Sequence, residues 1–137
     1  MLKINDYYEI ELSFSQEQVN AFAQITGDDN PLHINEEFAK TTPFGRPIVH
    51  GFLAGAVFSR IFGTLFPGQG TIYISQEMNF RAPIFTGKTY TARVEVTQIN
   101  SEKHNGTMSC LLLDLSAAPE RQVCIEGIAR LKHLTQL

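Results

Sequence analysis

The segment that most constrains the fold is FLAGAVFSRIFGTLF, residues 52–66, which is apolar on almost every face of the helix that it predicts. A helix of this kind is stable only when other elements surround it on most sides. The apolar run from Ile48 to Phe66 approaches the roughly 18 residues that a membrane span requires. Four polar residues interrupt it: His50, Ser59, Arg60 and Thr64. We therefore expect a buried central helix rather than a membrane span.

After this helix the apolar period changes from helical to two. Alternating segments begin at Ile72, Tyr90, Thr107 and Gln122, with turn-rich stretches between the later ones. With a short strand in YYEIELSF, residues 7–14, they predict an antiparallel sheet of about five strands wrapped around the apolar helix, an α+β arrangement. A free edge or face of such a sheet could pair two copies of the chain.

Length and charge exclude several classes of function. The 137 residues fit a single domain, 1–137, long enough to bury about two thirds of the surface of the unfolded chain. A formal net charge of −3 provides no basic footprint for nucleic acid. No glycine-rich phosphate loop follows a predicted strand, so we expect no nucleotide cofactor.

The cysteines and the N-terminus indicate the compartment. Cys110 and Cys124 lie in alternating apolar segments, which favours reduced core residues over a disulfide. The opening MLKINDYYEIELSF has neither an apolar core nor a small-residue cleavage site, so it is not a secretory signal. We expect a cytoplasmic protein.

The segment TGDDNPLH, Thr26–His33, places an acid, an amide and an imidazole within a few positions. A capping box of Ser15 and Gln18 predicts the start of the preceding helix, which should stop at Gly27. Pro31 disfavours helical backbone at the residue before it, so DDNPLH is predicted to be a loop, followed by an Asn-capped helical turn in NEEFAK. These groups could perform chemistry.

Two stretches carry a family resemblance. FAQITGDDNPLHINEEFA, residues 22–39, and FGRPIVHGFLAGAVFS, residues 44–59, resemble the hydratase motif and central helix of the MaoC-like hot-dog proteins, in particular the (R)-specific enoyl-CoA hydratases. The resemblance covers most of the chain. It implies a hot-dog fold, a homodimer, and reversible syn hydration of trans-2-enoyl-CoA to (R)-3-hydroxyacyl-CoA.

The resemblance also implies roles for individual residues. Asp28 and His33 would be the catalytic pair, and Asn30 would shape the loop between them. Gly51 would supply the backbone N–H that polarises the thioester carbonyl, and Ser59 would orient the Asp28 carboxylate. Hydration needs a base, an acid and a donor for the enolate-like oxygen, and these groups match that list. Apolar shielding of the Asp28 carboxyl would favour its neutral form, which is the form that an acid requires.

Other polar residues have weaker claims. Asp29 is expected to be a solvated neighbour, and His50 either caps the central helix or lines the site. His104 and His133 are expected to be solvent groups. Asp28, His33 and His50 are of types that suit zinc, but no spacing such as His-Glu-x-x-His supports a site, so we expect no metal. Coenzyme A would be the part of the substrate that the protein holds, and its phosphates would need basic residues at the mouth of the pocket. The candidates, each of which fits an ordinary surface cation better, are Arg46, Arg81 and Lys88.

Several alternatives remain open from the sequence. The same pair could dehydrate a 3-hydroxyacyl thioester carried on acyl carrier protein. Thioester hydrolysis would instead direct water at the carbonyl, and a non-catalytic acyl-thioester binding subunit would have lost the acid or the base, whereas both are present. Chain-length preference depends on which apolar residues plug the tunnel, with these as candidates: Phe52, Leu65, Phe66 and Ile72.

Overall fold

The computed structural model describes all 137 residues. Nine regular elements are joined by short connections, with a π-helical turn, Ile61–Leu65, directly after α4. In chain order the elements are β1 Tyr7–Leu12, α1 Gln16–Thr26, α2 Pro31–Ile34, α3 Glu36–Ala39, α4 Gly51–Arg60, β2 Ile72–Phe80, β3 Tyr90–Asn100, β4 Asn105–Asp114 and β5 Gln122–Lys132.

The strands form one sheet in the order β1-β3-β4-β5-β2, and every neighbouring pair is antiparallel. The predicted five-stranded α+β hot-dog architecture is confirmed. β1 and β2 are the two edges of the sheet. β5 approaches β2 so closely at Gly127 that an added Cβ would lie 1.9 Å from the carbonyl oxygen of Glu77, which explains a glycine inside this strand.

The core lies between α4 and the sheet. Phe58 from α4 and Phe62 from the π-helical turn are fully buried against inward-facing side chains of β3, β4 and β5. Truncating a phenylalanine in such a position to alanine costs about 3–5 kcal/mol of stability, because the cavity does not refill. These contacts fix the central helix against the sheet.

The expectation of a long helix surrounded on most sides is only partly met. The α-helical part is ten residues, because the backbone changes to π-helical geometry at Ile61. Phe52 is 71% exposed, and Ala56 and Ser59 on the same helix are also exposed. One side of α4 is therefore open to solvent in the single chain. None of the helices has the length and apolar composition that crossing a bilayer requires.

The sequence signals around α1 are confirmed. Ser15 Oγ accepts from the backbone N–H of Gln18 at 3.1 Å, the Gln18 side chain accepts from the N–H of Ser15 at 2.9 Å, and Gly27 ends the helix with φ of 79°. The prediction of a loop through His33 is wrong at its end. Pro31 begins the helical turn α2, because proline tolerates the first helical position and Asn30 Oδ1 accepts from the N–H of Leu32 at 3.1 Å.

Three further residues for which the sequence made a prediction are buried. Cys110 and Cys124 are free and buried, and burial raises the pKa of the Cys110 thiol to about 12. The prediction that His133 is a solvent group is wrong. Its ring is 7% exposed, Nε2–H donates to the carbonyl of Gln69 at 2.9 Å, and Nδ1 accepts from the N–H of Gln136 at 3.2 Å. The ring organises the C-terminal turn.

Candidate active site

The imidazole of His33 is held in one tautomer by the backbone. The residue lies on α2 and is 9% exposed, and its Nδ1 lies 2.8 Å from the carbonyl oxygen of Ile48. A carbonyl only accepts, so Nδ1 carries the proton and Nε2 has a free lone pair. The N–H of Ile48 in turn donates to the carbonyl of Leu32 at 3.3 Å. These bonds fix the ring and leave Nε2 available to accept a proton.

His50 lies behind this ring. It is 1% exposed, and its Nε2 lies 2.9 Å from the backbone oxygen of Asp28. Its ring stacks on His33 with centroids 3.9 Å apart and contacts the ring of Phe22 at 4.7 Å. His50 occupies the N-cap position of α4, but its side chain makes no capping hydrogen bond. Of the two predicted roles, capping by the side chain is excluded.

The N-terminus of α4 supplies the donors. The first intrahelical bond runs from the N–H of Ala54 to the carbonyl of His50 at 3.1 Å. The N–H groups of Gly51, Phe52 and Leu53 precede it and have no intrahelical partner. The positive end of the helix macrodipole lies at the same point. Developing negative charge on an oxygen would be stabilised here.

A cavity of about 440 Å³ joins these elements. Asp28, His33 and Gly51 all line it, so the structure brings the predicted acid, base and donor to one space. Its remaining wall is largely apolar, which suits an acyl thioester better than a polar metabolite. The other lining residues are Phe44, Ile48, Val49, His50, Phe52, Phe80, Arg81, Ala82, Pro83 and Ile84.

Part of this wall was not found from the sequence. Residues 82–84, beside the predicted Arg81, reach the cavity because the N–H of Val49 donates to the carbonyl of Ile84 at 2.7 Å and Ile48 forms an isolated bridge with Phe85. These pairings join positions far apart in the chain. The only local signal is Pro83, which ends the alternating pattern of β2.

Asn30 and Ser59 lie away from the reacting groups. The Asn30 amide caps α2 and so shapes the turn that carries His33. Ser59 is exposed and lines a separate groove between α4 and β2, together with Gly55 and Met78. Within this chain it does not contact Asp28.

Asp28 itself is exposed in the single chain. Its backbone N–H donates to Thr26 Oγ1 at 3.2 Å. The expected apolar shielding of its carboxyl is therefore not provided by this chain alone. Asp29, expected to be a solvated neighbour, is exposed as well.

The three candidate phosphate contacts differ in their partners. Lys88 Nζ lies 2.6 Å from Asp114 Oδ2, and Arg81 is paired with Glu126. The guanidinium of Arg46 instead lies 4.0 Å above the centroid of the Phe85 ring and has no carboxylate partner. Of the three, only Arg46 could bind a phosphate without first breaking an ion pair with a carboxylate.

Donor atoms of Asp28, His33 and His50 lie within 4.8 Å of one another, close enough to hold a metal ion. One nitrogen of each imidazole is already bonded to a backbone carbonyl, which leaves Nε2 of His33 and Nδ1 of His50. The expectation that the site uses no metal stays a prediction.

Comparison with known proteins adds independent information. The family model described as MaoC like domain matches residues 4–112. The chain is 41% identical to the (R)-specific enoyl-CoA hydratase of Aeromonas caviae over 108 residues, which is 79% of this chain and 81% of that protein. It is 42% identical over 101 residues to the 3-hydroxybutyryl-CoA dehydratase of Methylorubrum extorquens, covering 74% of this chain and 64% of that protein.

The fold agrees with a solved structure as well. The structure described as the (R)-hydratase from A. caviae involved in PHA biosynthesis superimposes with a TM-score of 0.89 at 36% identity, covering 96% of this chain and 97% of that one. The similarity therefore extends over almost all of both chains.

Proposed function

The chain belongs to the MaoC-like domain family, and we propose that it catalyses the reversible hydration of trans-2-enoyl-CoA to (R)-3-hydroxyacyl-CoA. The observation that carries this proposal is the meeting of Asp28, His33 and the N-terminus of α4 around one apolar cavity. The relatives named above are an (R)-specific enoyl-CoA hydratase and a 3-hydroxybutyryl-CoA dehydratase, and hydration and dehydration are the two directions of one reaction. We treat residues 1–137 as one hydratase domain.

In the proposed mechanism His33 is the base. Its Nε2 removes a proton from water while the water oxygen forms a bond to the β-carbon of the enoyl thioester. The electron pair of the double bond moves to the α-carbon and the thioester oxygen, where the N–H of Gly51 donates to the enolate. Removing a donor of this kind costs about 3–4 kcal/mol of transition-state stabilisation in other enzymes.

Asp28 completes the reaction as the acid. Its carboxyl transfers a proton to the α-carbon, and the imidazolium of His33 then returns its proton to the carboxylate, directly or through water. In the alternative arrangement Asp28 and His33 share one water. A bound acyl thioester in the cavity would cover Asp28 and provide the apolar environment that the acid requires. The proposed steps use no metal or cofactor.

Two other functions fit less well. Thioester hydrolysis needs water at the carbonyl carbon rather than at the β-carbon, and leaves the acid at Asp28 without a role. A non-catalytic binding subunit does not need a base oriented by a backbone carbonyl beside a carboxyl. Hydration uses all three groups.

We also propose that two copies associate through β2 in a cytoplasmic homodimer. β2 is a nine-residue edge strand with exposed Ile72 and Ile74, whereas the other edge strand, β1, is shorter and carries Glu9 and Glu11. Charged residues discourage pairing at an edge, and exposed apolar residues favour it. Association there would also approach the uncovered side of α4.

The decisive test follows the absorbance of the enoyl thioester when the purified protein is mixed with crotonyl-CoA. The product is identified with an (R)- or an (S)-specific 3-hydroxyacyl-CoA dehydrogenase, and the Asp28→Asn protein is measured in parallel. Formation of the (R) product by the wild type alone supports the proposal. No absorbance loss with crotonyl-CoA or a longer enoyl-CoA would reject it in favour of an acyl-carrier substrate or a binding role.

A further inference from the structure

We infer that His50 is a positioning residue, whose Nε2–H fastens the turn carrying Asp28 to the N-terminus of α4 and whose neutral ring supports the imidazolium of His33. This inference rests on the proposed hydratase function, because it concerns the alignment of the same reacting groups. Its ring also lines the cavity, and the role inferred here is exerted through the residues that react.

The first step is the hydrogen bond between His50 and Asp28. Nε2 of His50 lies 2.9 Å from the backbone oxygen of Asp28, which can only accept. Nε2 therefore carries the proton. The bond joins positions 22 residues apart and links the acid to the residue directly before Gly51.

A second hydrogen bond joins His33, the proposed base, to the segment that contains His50. His33 Nδ1–H donates to the carbonyl of Ile48 at 2.8 Å, two positions before His50. The segment 48–50 thus accepts a bond from the base and donates one to the acid, and it leads directly into the helix that supplies the oxyanion donor. Small errors in such an alignment reduce rate more than binding.

The contact between the rings of His33 and His50 restricts the charge that the two can carry together. The rings of His33 and His50 stack with centroids 3.9 Å apart and planes inclined by 30°. When His33 takes a proton from water, a second imidazolium at that distance would repel it. A neutral ring instead presents a polarizable face to the cation. The arrangement thus requires His50 to stay neutral while His33 changes charge.

The other ring nitrogen of His50 lowers the stability of the fold. Nδ1 of His50 is buried and has no hydrogen-bond partner. An unpaired buried acceptor is destabilising, and a residue chosen only for packing at a position that is 1% exposed would be apolar. The polar ring is explained by the bond that its other nitrogen makes.

The test compares three substitutions with crotonyl-CoA as substrate. In His50→Gln the amide nitrogen can reach the position of Nε2, in His50→Asn it falls short, and His50→Phe keeps an aromatic ring without a donor. We expect kcat to fall about 100-fold in the Asn and Phe variants but less than about 10-fold in the Gln variant, with KM changed by less than about threefold. Melting temperatures report any loss of folding.

Three kinetic results would overturn the inference. The first is a Phe variant with the kcat of the wild type, since it lacks the donor. The second is a loss that appears in KM alone. The third is an equal loss of kcat in the Gln and Asn variants, since a purely structural role does not distinguish the reach of the amide.

A second measurement does not depend on turnover. Nitrogen-15 NMR of the histidine rings in the wild-type protein without substrate reports which nitrogen carries the proton. Protonated Nε2 in His50 and protonated Nδ1 in His33 are expected, and an unprotonated Nε2 in His50 would reject the proposed bond even if all variants unfolded. If the wild type failed to hydrate any enoyl-CoA, the proposed function would be rejected. The NMR measurement would still test whether His50 Nε2–H donates to the backbone oxygen of Asp28.

Discussion

Gly51 and Phe80 are so close that a Cβ on Gly51 would lie 2.7 Å from Cε1 of the Phe80 ring. The absence of a side chain thus lets the first turn of α4 lie directly against the end of β2. Both residues line the cavity, so this contact sets how near the helix donors come to a bound thioester.

Gly51→Ala should therefore impair activity without removing the backbone N–H. The added methyl group displaces the Phe80 ring, which is 51% exposed and can move into the cavity. We expect kcat/KM to fall about tenfold, because the donor and the carbonyl are misaligned. In the double variant Gly51→Ala/Phe80→Ala the steric conflict is absent, so the loss should be smaller than the sum of the two single losses. Additive losses in this double-mutant cycle would contradict the explanation.

Asp28→Asn and His33→Ala should each lower kcat by about 10²–10⁴, since each removes a proton-transfer group. Asp29→Asn is the matched control, because Asp29 is the neighbouring exposed carboxylate outside the cavity lining. It should keep the rate of the wild type. Circular dichroism and thermal melting establish that the fold is intact. Near-full activity in either of the first two variants would remove the proposed mechanism.

Chelation should leave the rate of crotonyl-CoA hydration unchanged. No proposed step needs a metal, and one nitrogen of His33 and one of His50 are bonded to carbonyl oxygens. The protein is dialysed against EDTA, and residual metal is measured by mass spectrometry before the assay. A loss of rate that one divalent cation restores would assign a metal to Asp28, His33 and His50.

Ile74→Lys should weaken the proposed association through β2. Ile74 is 49% exposed on the edge strand, and a charge at such an edge opposes strand pairing. Sedimentation velocity should find a dimer for the wild type and a shift towards monomer for the variant. Glu11→Lys on the other edge strand is the control and should sediment like the wild type. A monomeric wild type would reject the dimer.

Local patterns in the sequence predicted the elements and the candidate reacting residues. The capping box at Ser15 and the left-handed stop at Gly27 act over a few residues, so the limits of α1 were predictable. The change of period after the central helix predicted the sheet. Asp28, His33 and Gly51 were found through a motif, and the fold brings them together because segment 48–50 bonds to the turn before it.

The features that were missed depend on contacts between distant segments. The wall formed by residues 82–84 exists because Val49 bonds to Ile84, and the buried state of His133 follows from its bond to Gln69. The exposed side of α4 was also missed, because the apolar composition of a helix does not tell which of its faces the rest of the chain covers. Pro31 was interpreted as a loop residue, although proline is equally suited to begin a helical turn.

The ion pair of Lys88 and Asp114 should make stability depend on acid pH. Lys88 Nζ lies 2.6 Å from Asp114 Oδ2, and the N–H of Ser116 donates to Oδ1 at 2.9 Å. The hydrogen bond from Lys88 holds the pKa of the Asp114 carboxyl below its ordinary value. In the unfolded chain this carboxyl has a pKa of about 3.9, so the unfolded state binds the proton first as pH falls.

The stabilising contribution of Asp114 is therefore complete above about pH 4–5 and is lost as pH falls through the lower pKa of the folded state. Urea unfolding between pH 7 and pH 3 should show a steep decrease for the wild type and a shallower one for Asp114→Asn, which cannot titrate. Glu102→Gln, a substitution at an exposed carboxylate, is the control and should follow the wild type. Parallel curves for the wild type and the Asp114→Asn protein would show that the pair with Lys88 does not govern acid stability, and the sensitivity would then have to come from other carboxyls.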